Sequence, residues 1–173
     1  MQLKKNYDFK NLVLEKLSLK HLEDIHEYSK NPSFFKYLEF KEYKNKKQTK
    51  KYINKRMKEN NFVSTYWWAI KLKRKKKIIG TFVIHNFDKL RNSCEISYGI
   101  SPLYQGNGYF KFIVMKIIKI LKKKKIKRIQ AITHFDNKPS IQGLLKCGFK
   151  KEGVLRNYFY NNIKKKYYNA IIL

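Results

Sequence analysis

The sequence predicts an α+β fold, a mixed and mostly antiparallel sheet of about seven strands with about four helices packed on it. Two observations carry this. Short runs rich in Val, Ile, Tyr and Trp, bounded by Gly, Pro or Asn, recur from Tyr66 onward and read as strands. Among them lies one long apolar stripe, Phe110, Ile113, Val114, Ile117, Ile118 and Leu121, at helical spacing with Lys116, Lys119 and Lys123 opposite. Such a stripe could lie on a membrane surface. Strands flank it on both sides, so it reads instead as a core-facing helix that crosses over between neighbouring strands.

The elements follow in order. Leu12 to Leu14 with Leu17 form a first strand, and Ser18 can cap a helix from Leu19 to Ser29. Asn31-Pro32 stops that helix, because the residue before proline avoids helical backbone. Gln48 to Lys58 is helical, with Tyr52, Ile53 and Met57 on one side, and Asn60-Asn61 ends it. Strands follow at Tyr66–Leu72, Ile78–His85 and Glu95–Ile100, the first two joined by the basic turn Arg74–Lys77. Leu103 to Gly108 is a turn before the long helix, whose end at Lys122–Lys125 places cations at the negative end of the dipole. Ile126 to Phe135 is a strand, and Pro139 to Lys146 is a short helix closed by Gly148. Val154–Tyr160 and Tyr167–Leu173 make a final hairpin around Asn161-Asn162.

A length of 173 residues fits a single domain over 1–173 with a real core. The 43% of apolar residues exclude a disordered chain. No apolar run reaches the roughly 18 residues of a membrane span. Met1 to Lys10 lack the apolar stretch of a secretory signal, and Cys94 and Cys147 suggest no disulfide framework. A cytoplasmic location is expected.

The formal net charge is +29. It suits RNA, acidic proteins and anionic cofactors, and it repels polycations. Of the 41 basic residues 36 are Lys and 5 are Arg. A surface built for phosphate would use more of the bidentate Arg fork. The same chain is rich in Ile, Asn, Tyr and Phe, the profile of an AT-rich genome, so compositional drift explains the charge better than selection does.

Gln105-Gly106-Asn107-Gly108-Tyr109 sits between a strand and the long helix. Glycines there let backbone approach a ligand, and the helix start offers free N–H groups and a positive dipole end, which suits a phosphate. No Gly-Lys-Ser/Thr follows, so it is not a Walker loop. His21, His26, His85 and His134 show no metal-ligand spacing, and neither cysteine sits in a nucleophile signature.

Ser101 to Tyr109 resembles the pyrophosphate-binding loop of GNAT acetyltransferases, Gln/Arg-x-x-Gly-x-Gly/Ala. Asn137-Lys138-Pro139-Ser140, followed by Cys147-Gly148-Phe149 and Glu152-Gly153, is similar to a stretch of their RimJ/RimL-type branch. The likeness is good from about Tyr66 to Leu173. It implies a GNAT-like sheet with a splayed central strand pair. It also implies acetyl-CoA as cosubstrate, its pyrophosphate held by backbone N–H groups from Gln105 through Gly106, Asn107, Gly108 and Tyr109 to Phe110. The pantetheine arm would run between Glu95–Ile100 and Ile126–Phe135, reaching Ile100 at the cofactor end, and pair with strand backbone. Asn137 would hydrogen-bond it, and Ser140 would face the thioester sulfur and protonate the leaving thiolate.

Glu95 is the candidate base. It is the one acidic residue between Asp88 and Asp136, on the strand before the loop, where a partly desolvated carboxylate could act near neutrality. Tyr98 reads as a site wall or core residue. Four positions depart from the family pattern. Leu144 stands where many members carry an acidic Tyr, Phe110 ends the loop motif in place of Gly or Ala, and Phe112 and Asn169 replace a Glu and an Asp common in the branch. Of Trp67 and Trp68, which alternate across a strand, one should be core and the other is a candidate wall of the acceptor cleft.

The branch implies a protein N-terminus as acceptor, such as that of a ribosomal protein. A small amine is the alternative, and a polyamine is disfavoured by the charge. A non-catalytic RNA- or ribosome-associated protein on the same fold is the reading from another class.

Overall fold

The computed structural model describes residues 3–60, 64–161 and 164–173. Strands β1 (Tyr7–Asp8), β2 (Leu12–Lys16), β3 (Tyr66–Leu72), β4 (Lys77–Asp88), β5 (Ser93–Ile100) and β6 (Arg128–Gln130) lie side by side in chain order. All neighbours are antiparallel except β5 and β6, which are parallel. A second antiparallel sheet runs in the order β7 (Ile132–His134), β9 (Lys166–Ile172), β8 (Gly153–Asn161). Four α-helices accompany them among the described residues: α1 (Leu22–Ser29), α2 (Lys46–Glu59), α3 (Tyr109–Lys123) and α4 (Lys138–Leu145). The expected α+β architecture is present.

One expectation changes. The single strand read at Ile126–Phe135 is two strands in two sheets. At Ala131 the chain leaves β5 and exchanges both backbone hydrogen bonds with Leu173, at 3.0 Å each. The β5/β6 ladder therefore stops at Glu95–Gln130, and among the described residues no strand lies beside Ile96 to Ile100 on that edge. Two ends also differ. Leu19 to His21 form a tighter 3-10 turn before α1, with Ser18 N donating to His21 Nδ1 at 3.2 Å. Helix α2 starts at Lys46, because Asn45 caps it by accepting from Gln48 N at 3.0 Å. Of the expected stops, Asn60 is the C-cap of α2, whereas Asn61 and Asn162 lie outside the described residues.

The large sheet is buried on both faces, and alternate residues of β5 serve different cores. Ile96 joins Phe82, Ile84, Ile113, Val114, Ile117, Leu121 and Leu144 under α3 and α4. On the other face Ile25, Tyr28, Ile53, Ala69 and Ile78 pack under α1 and α2. Each fully buried aliphatic side chain contributes about 1.5–3 kcal/mol, so the α3 stripe does most to anchor that helix. Trp68 is core, 1% exposed, and Trp67 faces α2.

The edge of the α1 face carries a charge cluster on β2. Burial pushes the Glu15 carboxyl up. Hydrogen bonds from Lys20, Lys71 and His21 outweigh it and hold the pKa at about 2. A depressed carboxyl stabilises the fold above its unfolded value of 4.5, and that stability is lost as pH falls through about 2. The melting temperature should therefore fall between those limits, and Glu15→Gln should flatten that part of the profile while lowering stability at neutral pH. A variant that melts like the wild type at every pH would remove the cluster from the stability balance.

Candidate active site

Strand β5 organises the site. Its residues alternate between faces, so Glu95, Ser97 and Gly99 point to the α1–α2 side and Ile96, Tyr98 and Ile100 to the α3–α4 side. Where the ladder to β6 ends, one edge of β5 is open between the two sheets. An extended ligand can pair with that edge by strand addition.

The loop after β5 is held from within. A 3-10 turn, Pro102–Tyr104, leads into Gln105, whose Nε2 donates to Ile100 O at 2.9 Å. Asn107 Nδ2 donates to Gln105 O at 3.0 Å. Gly106 and Gly108 have φ of +77° and +74°, the left-handed region that disfavours side chains. A Cβ at either would meet nothing within 4 Å, so both glycines border open space. Gly108 is the N-cap of α3, whose first N–H groups, from Tyr109 on, have no partner within the helix. The cradle fits a pyrophosphate. A shallow groove of about 360 Å³ continues from Gly108 along Lys111, Lys116 and Lys119, cations suited to further phosphate.

Phe110 turns inward. Its ring packs on Tyr98 with centroids 4.2 Å apart and lies over Gly143 of α4. The bulky residue at the end of the loop thus leaves the cradle clear, because a glycine opposite makes room. A Cβ at Gly143 would come within 2.8 Å of that ring. Gly143→Ala should displace Phe110 towards the cradle and weaken acetyl-CoA binding several-fold, read by calorimetric titration. Pairing it with Phe110→Leu should restore much of the loss, as coupled neighbours do.

Asn137 is the N-cap of α4, its Oδ1 accepting from Ser140 N at 3.3 Å. This fixes Ser140 in the first turn, with Ser140 Oγ 2.7 Å from Tyr98 Oη. Burial raises the Tyr98 phenol above its ordinary value, so it stays neutral and can donate. Leu144 is fully buried in the core and cannot act as an acid. The hydroxyl pair Tyr98–Ser140 occupies the α3–α4 side of the open edge instead.

Glu95 lies on the opposite side, 7% exposed. Its Oε2 accepts from Asn86 Nδ2 and Gln130 Nε2, both at 3.3 Å. Among the described residues its one ion-pair partner is His85, at 3.6 Å, and His85 Nε2 is also 2.8 Å from Ser97 Oγ. No lysine pairs with it among the described residues, despite the lysine-rich composition. A bulge between His85 and Asp88 places Asn86 at φ +53° and turns its side chain to the carboxylate. This shell was missed in the sequence. Its signal was the register: equal steps back from a turn near Leu90 set His85 opposite Glu95.

Other positions resolve plainly. Burial pushes the Cys94 thiol up to about 12 and raises that of Cys147, so neither is poised as a nucleophile. Asn169 Oδ1 accepts from Asn157 N at 2.9 Å and pins the β8 bulge. Phe112 packs edge-on against Phe9.

Two hollows lie away from the glycine loop. One, of about 190 Å³, lies under α1 and α2 and has Ser97, Tyr98 and Gly99 of β5 in its lining. Trp67 lines it, while Trp68 on the opposite side of β3 is core. The other, of about 260 Å³, lies towards the last hairpin, where Lys36 and Lys164 balance Glu39 and Asp136. Among the described residues no acidic patch offsets the overall positive charge there.

Comparison with known proteins gives one consistent result. Residues 11–150 match the model of the acetyltransferase (GNAT) domain. An uncharacterised N-acetyltransferase, YoaA of Bacillus subtilis, is 36% identical over 96 residues, 55% of this chain and 54% of that protein, so the match spans about half the relative's length. Uncharacterised N-acetyltransferase p20 of Bacillus licheniformis is 26% identical over 85% of this chain and 83% of its own. The microcin C7 self-immunity acetyltransferase MccE, solved with acetyl-CoA and AMP, shares the fold at a TM-score of 0.85 with 24% identity, over 95% of this chain and 91% of that one. Among the described residues no helix is long and apolar enough to cross a membrane. With a glycine cradle at a helix start, a splayed strand pair and a domain match over most of its length, the chain belongs to the acetyltransferase (GNAT) family of acetyl-CoA-dependent N-acetyltransferases.

Proposed function

We propose that the chain moves the acetyl group of acetyl-CoA to a primary amine by direct attack, and that the acceptor is a small molecule. Acetyl-CoA supplies an acetyl group activated as a thioester. The backbone N–H groups from Gln105 to Phe110 and the lysines of α3 hold its phosphates, and the open edge of β5 together with Asn137 holds the arm. Glu95 takes the proton that makes the amine nucleophilic, directly or through a water. The C–N bond forms as the C–S bond breaks, and the Ser140 hydroxyl, held by Tyr98, supplies a proton to the departing thiolate.

The observation that carries the acceptor reading is the hollow of about 190 Å³ on the Glu95 face, floored in part by β5 itself. It has room for one compact group rather than a length of polypeptide. A protein N-terminus, such as that of a ribosomal protein, is the second reading. Its support is the RimJ/RimL-like motifs and a fold shared with a RimL ribosomal L7/L12 acetyltransferase, at a TM-score of 0.82 with 16% identity.

The test is calorimetric titration of nucleic-acid-free protein with acetyl-CoA, then mass detection of acetylated product from small amines and from N-terminal peptides. One equivalent of acetyl-CoA bound and acetylated small amines are expected. Acetylated peptides alone would favour the second reading. Tight RNA retention without acetyl-CoA binding would remove the enzymatic reading.

A further inference from the structure

We infer that the acceptor is a small arylalkyl amine whose ring sits in the hollow beneath α1 and α2. The inference rests on the acetyl-transfer reading above and adds the chemical class of the acceptor.

The walls of the hollow are aromatic: Tyr28, Phe34, Phe35, Tyr43, Tyr52 and Trp67 all line it. They brace one another in a continuous run. Tyr28 meets Phe34 at 4.9 Å and Phe34 meets Phe35 at 5.1 Å. Phe35 meets Tyr43 at 5.5 Å, Tyr43 meets Tyr52 at 5.5 Å, and Tyr52 meets Trp67 at 6.2 Å. Rings arranged edge and face in this way offer edge and face contacts to another ring. The size fits too. A cavity of about 150 Å³ lined by apolar side chains accepts benzene, and this one measures about 190 Å³.

Charge excludes the alternatives. Among the described residues no carboxylate lines the hollow, and Arg56 is the one charged side chain there. A second ammonium group would meet no counter-charge. The Arg56 guanidinium lies over the rings of Tyr52 and Trp67, at 5.2 and 4.9 Å, and its Nη1 donates to Glu59 at 2.7 Å.

Position connects the hollow to the chemistry. Trp67, Val83 and Ser97 are cross-strand neighbours on its floor, and His85 and Glu95 form the next row on the same face. At about 3.3 Å per residue the rows lie about 7 Å apart along the strand. A short alkyl linker spans that distance, so a ring on the floor delivers its amine to Glu95. Gly99 serves the same shape: a Cβ there would come within 2.7 Å of the Phe34 ring, which the glycine allows to lie against β5.

The experiment compares kcat/KM for phenethylamine, tyramine, n-butylamine, spermidine and a Ser-initiated peptide with the full chain and saturating acetyl-CoA. Phenethylamine should exceed n-butylamine by roughly 10- to 100-fold, the discrimination a filled apolar pocket supplies. Val83→Phe, which fills the floor, should erase the preference while acetyl-CoA binding and the melting temperature stay near wild type. Tyr43→Ala, which widens the hollow, should shift the preference towards the bicyclic tryptamine, and it decides the matter if Val83→Phe does not fold. Acetyl-CoA binding with turnover of n-butylamine, spermidine or the peptide at or above the aryl amines overturns this inference alone. Absence of acetyl-CoA binding overturns the acetyl-transfer reading, and this inference with it.

Discussion

Gly108→Glu is expected to abolish measurable acetyl-CoA binding, a loss of at least about 100-fold, with only a small change in melting temperature. Gly108 holds φ +74° at the N-cap of α3, and a Cβ there meets no heavy atom within 4 Å. The substitution therefore creates no packing defect. Its backbone strain, about 1 kcal/mol, is the smaller effect. The larger one is electrostatic: a carboxylate at the start of α3 satisfies the free N–H groups and the dipole that would hold the pyrophosphate. It also repels the incoming phosphates. Calorimetric titration at two salt concentrations beside Gly108→Ala separates these effects. Alanine should cost far less than glutamate, and the gap should narrow at high salt. Equal binding by wild type and Gly108→Glu would move the phosphate site elsewhere.

Glu95→Gln is expected to lower kcat by roughly 10²- to 10⁴-fold, the usual contribution of a positioned general base. Glutamine keeps the shape of the side chain and can still accept from Asn86 and Gln130, so acetyl-CoA affinity should not change. The pH dependence is the sharper readout. If Glu95 removes the proton, the variant should regain activity relative to wild type as pH rises and more amine arrives unprotonated. His85→Ala should give a smaller loss, because His85 touches Glu95 and Ser97 but lies behind them on β4. A kcat within a few-fold of wild type in Glu95→Gln would assign Glu95 to structure alone.

Much of this was legible along the chain, and the reason is local. Strand β3 is bounded at Tyr66 and Leu72 as read, because β-branched and aromatic residues there alternate between two cores. Helix α3 follows from its stripe, and Gly148, at φ +90°, ends α4 as a glycine in that position should. The loop motif and the Asn137–Ser140 turn were visible because each needs a backbone geometry that few residues permit. What escaped was non-local. The break at Ala131 has no breaker residue to announce it; it exists because Leu173, at the other end of the domain, claims that backbone. The two-residue β1 was likewise invisible, held as it is by the packing of Tyr7 against Trp68.

The site divides in the same way. The sequence by itself determined that a glycine-bearing loop precedes a crossover helix, that a lone acid stands on the strand before it, and that two adjacent tryptophans face opposite sides of one strand. These are consequences of spacing, periodicity and backbone freedom, which are properties of neighbours in the chain. Only the tertiary structure decided that Glu95 and Ser140 flank the open edge of β5 from opposite faces. It alone paired Phe110 with Gly143, joined Tyr98 to Ser140, and raised aromatic walls from α1, α2 and β3 around one hollow. Such contacts join residues tens of positions apart, and their geometry follows from sheet register and helix packing, which no local pattern encodes.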